Sequence, residues 1–273
     1  MKIMDKTRKE ILTRYKSGES SVDLQKAYRL CRATILKIVR VEGDGAVRSR
    51  SEAFRKYSVN ETAFDAPLGE EALYWIGFLL ADGTVEGNRK HNAAARIRLK
   101  LAKKDKKHLR LFLDFLKSSY PISPTRAGCN TVQLLSDKLY RRLRELGITE
   151  RKSFTAAPSA EVVNSRHFWR GMVDGDGYPA TSKNTAVMEL CGSLASCTTF
   201  VNFLADNNIY GQVGPHGSIH DVLLCGDRAR NATALLYKDC VIALPRKFKI
   251  AERIMKQPLT GIVRAKATVA GVA

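Results

Sequence analysis

The stretch FWRGMVDGDGYPATS, Phe168 to Ser182, ends an apolar run with two aspartates set between glycines, Asp174 and Asp176. An earlier stretch, YWIGFLLADGTVEGN from Tyr74 to Asn88, closes the same way around Asp82. Aligned on their tryptophans, WIGFLLADG (Trp75–Gly83) and WRGMVDGDG (Trp169–Gly177) lie 94 residues apart. Two copies of one pattern point to a single site assembled from two halves.

The likeness extends outward from both copies. FLDFL (Phe112–Leu116) matches FVNFL (Phe200–Leu204) at an offset of 88, and LSDK (Leu135–Lys138) matches CGDR (Cys225–Arg228) at 90. TERKSF (Thr149–Phe154) matches LPRKFK (Leu244–Lys249) at 95. Matches in one order at a nearly constant offset read as duplicated half-domains, not as a solenoid of short units. Each half reads as helix, strands, helix, strands, helix. The expected boundaries are 60–157 for the first half and 158–256 for the second.

Within each motif the small residues share one helix face. Gly77 and Ala81 are four apart, as are Gly171 and Gly175. That spacing lets two helix backbones approach closely, with Gly77 and Gly171 at the interface. Helices packed side by side would bring their C-terminal ends together, and Asp82 and Asp176 with them. Two close carboxylates repel and require a cation. Oxygen ligands suit Mg²⁺, which keeps waters and takes phosphate oxygens.

Lys plus Arg number 46 against 27 Asp plus Glu, a net charge of +19. Such an excess implies a polyanionic partner, of which nucleic acid is the commonest. The excess is locally dense: Arg89 to Arg110 holds ten basic residues and one acidic residue, Asp105. Inside that segment ARIRLKL, Ala95 to Leu101, alternates. Ile97, Leu99 and Leu101 would face a core, while Arg96, Arg98 and Lys100 would present three cations on the other face. The matching strand TAVMELCG carries no such stripe.

Ahead of the repeat, Thr7 to Arg40 reads as three short helices. Gly18 is placed to end the first, Ser20 or Ser21 to cap the second, and a break falls near Leu30. The third carries Ile35, Leu36, Ile38 and Val39, with Arg32, Thr34, Lys37 and Arg40 left polar. The segment resembles a resolvase-type helix-turn-helix over 1–41. That resemblance implies DNA contact by the third helix, through Arg32, Thr34, Lys37 and Arg40. Residues 42–59 read as a basic linker. The tail, 257–273, shows weak periodicity and reads as disordered.

WIGFLLADG and WRGMVDGDG resemble the paired motifs of the LAGLIDADG homing endonucleases, over roughly Asn60 to Met255. The resemblance implies an α+β fold of two pseudo-symmetric αββαββα half-domains, a saddle over the DNA major groove, beside the small all-α helix-turn-helix domain. It implies a site-specific double-strand endonuclease acting as a monomer on a long asymmetric target. Mg²⁺ or Mn²⁺ would be held by Asp82 and Asp176, with the carbonyls of Ala81 and Gly175 as added ligands. Lys152 and Lys247 match the basic residues that the family places near the scissile phosphate. Asp174 departs from the pattern, because Leu80 stands at its position in the first motif. A DNA-binding regulator without cutting activity, and an RNA maturase acting on intron RNA, remain alternative readings of the same fold.

Other classes are set aside by the sequence. The longest apolar run, ALYWIGFLLA, is far shorter than the roughly 20 residues that span a bilayer, so no membrane partner is expected. The opening MKIMDKTRKE is not a secretory signal. Six scattered cysteines show no C-x-x-C pair or zinc spacing and read as reduced thiols, several of them in the core. The five histidines lack ligand spacing. An intracellular location is expected: the cytoplasm or nucleoid of a microbial or phage-infected cell, or an organelle. The ending VAGVA does not suit an intein.

Overall fold

The computed structural model describes residues 3–43, 47, 56–87, 94–150, 156–182 and 185–257. They divide into two compact units, one holding the N-terminal helices up to Lys56 and the other starting at Tyr57. Most of the 42–59 linker, Lys152 and the tail beyond Gln257 lie outside the described residues.

The first unit contains α1 (Asp5–Lys16), α2 (Ser21–Tyr28) and α3 (Arg32–Glu42). Its core is Ile11, Tyr15, Leu24, Ile35, Ile38 and Val39. After α1 the chain turns at Gly18, whose φ of 109° favours a residue without a Cβ. Ser20 caps α2 by accepting from the Asp23 amide at 3.1 Å, which supplies one of the helix's unpaired N–H groups with an acceptor. The break before α3 runs through Arg29, which takes a left-handed φ of 54°. On α3, Arg32, Lys37 and Arg40 are exposed and Thr34 is half-buried.

The second unit repeats one pattern twice. Its first half runs α4 (Glu70–Asp82), β1 (Gly83–Glu86), β2 (Arg96–Ala102), α5 (Lys106–Phe115), β3 (Ser123–Pro124), β4 (Cys129–Leu135) and α6 (Asp137–Glu145). Its second half runs α7 (Arg166–Asp176), β5 (Gly177–Ser182), β6 (Thr185–Gly192), α8 (Leu194–Asp206), β7 (Val213–His216), β8 (Ile219–Cys225) and α9 (Asp227–Tyr237), followed by α10 (Pro245–Met255). Each half thus has the αββαββα order. The strands make two antiparallel four-stranded sheets, β1-β2-β4-β3 and β5-β6-β8-β7.

Local chemistry starts these helices. Ser136, Ser165 and Ser193 each cap the helix that follows by accepting from its first-turn amides. Pro245 opens α10, where its missing N–H costs nothing. The motif helix α4 is buried continuously from Tyr74 to Leu80, as expected of a helix that is apolar all round. In β2, Ile97, Leu99 and Leu101 are buried while Arg96, Arg98 and Lys100 lie on the other face. All six cysteines are free. The expectation of several core cysteines is corrected: only Cys197 is buried, because the others fall on outward strand positions, loops or helix ends.

Candidate functional site

The site is built on the contact between α4 and α7, the most extensive pairing of elements among the described residues. Gly77 and Gly171 make that contact possible. A Cβ on Gly77 would collide with the Phe168 carbonyl oxygen and stand 3.0 Å from the Met172 amide nitrogen. A Cβ on Gly171 would collide with the Tyr74 carbonyl oxygen and stand 2.8 Å from the Phe78 amide nitrogen. The helices remain in contact to their ends, where a Cβ on Gly175 would run into the Ala81 methyl and lie 3.6 Å from the Asp82 nitrogen.

Asp82 and Asp176 are the last residues of α4 and α7, and both are exposed. The chain passes straight from helix to strand at Gly83 and Gly177. At Gly177 a Cβ would press on Val173 at 2.7 Å and on the Glu189 carbonyl oxygen at 2.9 Å. A cavity of about 230 Å³ opens beside Asp176, lined by Leu80, Ala81, Met172, Cys191 and Ser193 among others. Both carboxylates therefore sit at the negative ends of helix dipoles, an arrangement that attracts cations.

Lys247 lies under this surface, in the first turn of α10, and is 4% exposed. Its Nζ donates to the carbonyls of Val173 at 2.9 Å, Gly175 at 3.0 Å and Gly177 at 2.7 Å. Three donors meet three carbonyls where α7 passes into β5, adding a partner to the Val173 carbonyl that already accepts the Gly177 N–H. The sequence puts Lys247 near a phosphate; in this structure its ammonium donates to backbone oxygens. One of these is the Gly175 carbonyl, which the sequence reading gave to a metal. Burial pushes the ammonium down to about 8, against the pull of Asp174, Asp82 and Asp176. That pull places both exposed aspartates within electrostatic reach of one lysine.

Asp174 faces the opposite way from Asp176 and is fully buried. Its carboxylate accepts from the Tyr74 hydroxyl at 2.8 Å, the Tyr237 hydroxyl at 2.7 Å and the Leu244 amide at 2.6 Å. Burial raises its pKa, while these donors and Lys247 pull it back. Tyr74 belongs to the first half, so Asp174 ties the halves together. His108 extends the network, with Nε2 2.8 Å from the Tyr74 oxygen. Since Tyr74 donates to Asp174, Nε2 carries the proton that Tyr74 accepts, and Nδ1 is buried without a hydrogen-bond partner. Burial, aided by Arg246, holds the imidazole down to about 3. Arg246 itself pairs with Asp105 at 3.0 Å.

A second tie lies one turn back on α7. Arg170 is fully buried and donates to the Ile242 carbonyl at 2.8 Å, the Leu236 carbonyl at 3.0 Å and Glu70 at 2.8 Å. Neither Asp174 nor Arg170 was assigned a role from sequence, and their partners Tyr74, Tyr237, Glu70 and His108 were not singled out. The available signal was two charged residues inside an otherwise apolar motif helix.

The outward faces of the two sheets differ. Arg96 and Arg98 lie 4.0 and 3.7 Å from Glu86, and Arg98 also donates to Gln133 at 3.2 Å. Strands β5 to β8 contain neither lysine nor arginine. Their outward positions instead hold Glu189, Cys191, His216 and Asp221, with Cys191 opposite Asp221 in the β6–β8 register. Burial pushes the Cys191 thiol up to about 12, reinforced by the Glu189 and Asp221 carboxylates.

No helix among the described residues is long and apolar enough to cross a membrane. No family model matches the chain, and no curated protein matches it. Among solved structures, it is similar to the meganuclease I-SmaMI bound to uncleaveable DNA (12% identity, 67% of this chain and 88% of that one, TM-score 0.48). It is similar to the LAGLIDADG meganuclease I-AabMI bound to uncleaved DNA (11%, 67% and 88%, TM-score 0.49). A third likeness is to the N-terminal LAGLIDADG domain of DUF199/WhiA (15%, 71% and 93%, TM-score 0.41).

Proposed function

We propose that the chain is a site-specific endonuclease that hydrolyses double-stranded DNA with the help of Mg²⁺ or Mn²⁺, acting as a monomer. The observation that carries this reading is the abutting of the two motif helices at their C-terminal ends, each closing on an exposed aspartate. The donor set fits a hard divalent cation. Asp82 and Asp176 offer only oxygen, their exposure lets the ion keep waters, and two helix C-termini add negative potential. The Ala81 and Gly175 carbonyls are adjacent oxygens. A bound ion would lower the pKa of a coordinated water and neutralise charge on the phosphate and the leaving oxygen.

The chain's own residues hold the aspartates in place. Lys247 fixes the last turn of α7 through three carbonyls, and Asp174 anchors the same turn from beneath. The close glycine contacts leave the two helices no freedom to slide. Lys152, the repeat match of Lys247, would act near the scissile phosphate. Arg96, Arg98 and Lys100 would bind phosphates. The exposed pairing of Arg96 and Arg98 with Glu86 is worth about 0–1 kcal/mol and can exchange for a DNA oxygen. In the first unit, Arg32, Thr34, Lys37 and Arg40 on α3 would add contacts of the helix-turn-helix kind and lengthen the footprint. The second sheet, whose strands carry no lysine or arginine, would contribute base contacts more than phosphate contacts.

The test is cleavage of the encoding locus with the gene removed, offered as supercoiled DNA with Mg²⁺. Wild type is expected to linearise it, while Asp82→Asn and Asp176→Asn bind the same DNA without cutting. Undiminished cutting by either variant would remove the shared metal site, and binding without cutting by wild type in both Mg²⁺ and Mn²⁺ would favour a DNA-binding regulator.

A further inference from the structure

The outward face of the second sheet gathers a thiol, an imidazole and a carboxylate. The Cys191 sulfur lies 3.5 Å from Glu189 Oε1, and His216 Nδ1 lies 3.6 Å from that same oxygen. The three ligand atoms all fall within 4.8 Å of one another. His216 Nδ1 is also 3.6 Å from Asp221 Oδ2.

The Cys191 thiol donates to Glu189 at its distance, whereas both His216 spacings are too long for N–H···O hydrogen bonds, which centre near 2.9 Å. The Cys191–Glu189 and His216–Glu189 spacings match two edges of a tetrahedron around Zn²⁺. With Zn–S about 2.3 Å and Zn–N and Zn–O about 2.1 Å, sulfur and oxygen ligands stand about 3.6 Å apart, and nitrogen and oxygen about 3.4 Å. The fold sets this spacing. Glu189 and Cys191 alternate on the same face of β6, Asp221 is opposite Cys191 on β8, and His216 reaches across from β7. Between them, Gly214 is opposite Asp221, whose Oδ1 would stand 2.9 Å from a Cβ there, so the missing side chain leaves the carboxylate its room.

Charge argues the same way. Two carboxylates and an ionisable thiol share the outward face of a sheet whose strands carry no lysine or arginine, with His216 beside them. Each carboxylate makes the thiol harder to ionise, and a bound cation reverses that. We propose that Glu189, Cys191 and His216 form a second metal site, selective for Zn²⁺ over Mg²⁺, with Asp221 as a fourth ligand or as the acceptor that orients the imidazole. Mixed S, N and O donors select Zn²⁺, whereas Asp82 and Asp176 supply only oxygen. Binding releases the thiol proton of Cys191 to solvent. The neutralised face would then no longer repel a polyanion.

The probe is Co²⁺ added to the full chain after chelator treatment and reduction of its thiols. Wild type should show a sulfur-to-cobalt charge-transfer band at one equivalent per chain, displaced by Zn²⁺ and not by excess Mg²⁺. Cys191→Ser should abolish the band, His216→Ala should weaken cobalt binding at least about tenfold, and Cys225→Ser should leave it unchanged. Asp82→Asn with Asp176→Asn should keep the band, so failure of the nuclease reading would not touch this one. No thiolate band in wild type, or a band that survives Cys191→Ser, overturns the site.

Discussion

The backbones of Gly171 and Tyr74 leave no space between them: a Cβ on Gly171 would collide with the Tyr74 carbonyl oxygen. The obstacle is main chain, which cannot rotate aside as a side chain can. Gly77→Ala and Gly171→Ala should each destabilise the protein by about 2–3 kcal/mol, the upper part of the range for overpacking. Gly192→Ala is the control. Its nearest neighbour would be the Ser196 Cβ at 3.6 Å, an ordinary contact, and the change should be neutral or stabilising by up to about 1 kcal/mol. Urea midpoints would order the three variants.

The two aspartates of the second motif should separate cleanly. Asp174→Asn keeps one acceptor oxygen and replaces the other with an NH2 that faces donors, either the Tyr237 hydroxyl or the Tyr74 hydroxyl and Leu244 amide, and should cost about 2–4 kcal/mol. Asp176→Asn changes an exposed side chain and should stay within about 0.5 kcal/mol of wild type while losing cleavage. Equal stability losses in the two variants would contradict the division of roles.

His108 gives the fold an acid limit. Its folded pKa, about 3, lies below the ordinary 6.5. Between those values the unfolded chain takes up a proton that the folded chain refuses. Stability is therefore unaffected by this group above pH 6.5 and falls as pH drops toward 3, with a slope approaching about 1.4 kcal/mol per pH unit. His108→Gln, which keeps a donor for Tyr74 and cannot titrate, should flatten that slope. Identical acid profiles would remove His108 as the cause.

Lys247 should behave as a brace. Lys247→Met leaves three carbonyls without their donor and should cost about 1–3 kcal/mol. Amide exchange should quicken at the end of α7 more than at the end of α4. Under the nuclease reading DNA affinity should hold while the cleavage rate falls. A variant that cuts like wild type would show that the last turn of α7 keeps its shape unaided.

The paired motifs were legible because their signal is local: small residues four apart, an apolar run and a terminal aspartate fix a close helix pair wherever they occur. The alternation of Ala95–Leu101 was legible for the same reason. Ser123–Pro124, a two-residue strand, is too short for any pattern to register. Lys247 could be matched to its repeat partner, but its direction depends on α10 crossing under α7, which no spacing reports. The Glu189, Cys191 and His216 cluster escaped a search for metal spacing because His216 is 25 residues from Cys191, on a strand that meets β6 only through β8. Tertiary pairing creates that neighbourhood.

The buried network also fixes which halves can partner. At the 94-residue offset, Asp174 corresponds to Leu80, Arg170 to Ile76, Tyr74 to Phe168 and Glu70 to Asn164. Two copies of the second half would deprive Asp174 of the Tyr74 hydroxyl and Arg170 of the Glu70 carboxylate. Two copies of the first would leave the Tyr74 hydroxyl facing leucine. Only the mixed pair closes every bond, so the repeats are no longer interchangeable. If the chain were severed between them, each fragment would recognise the other in preference to itself.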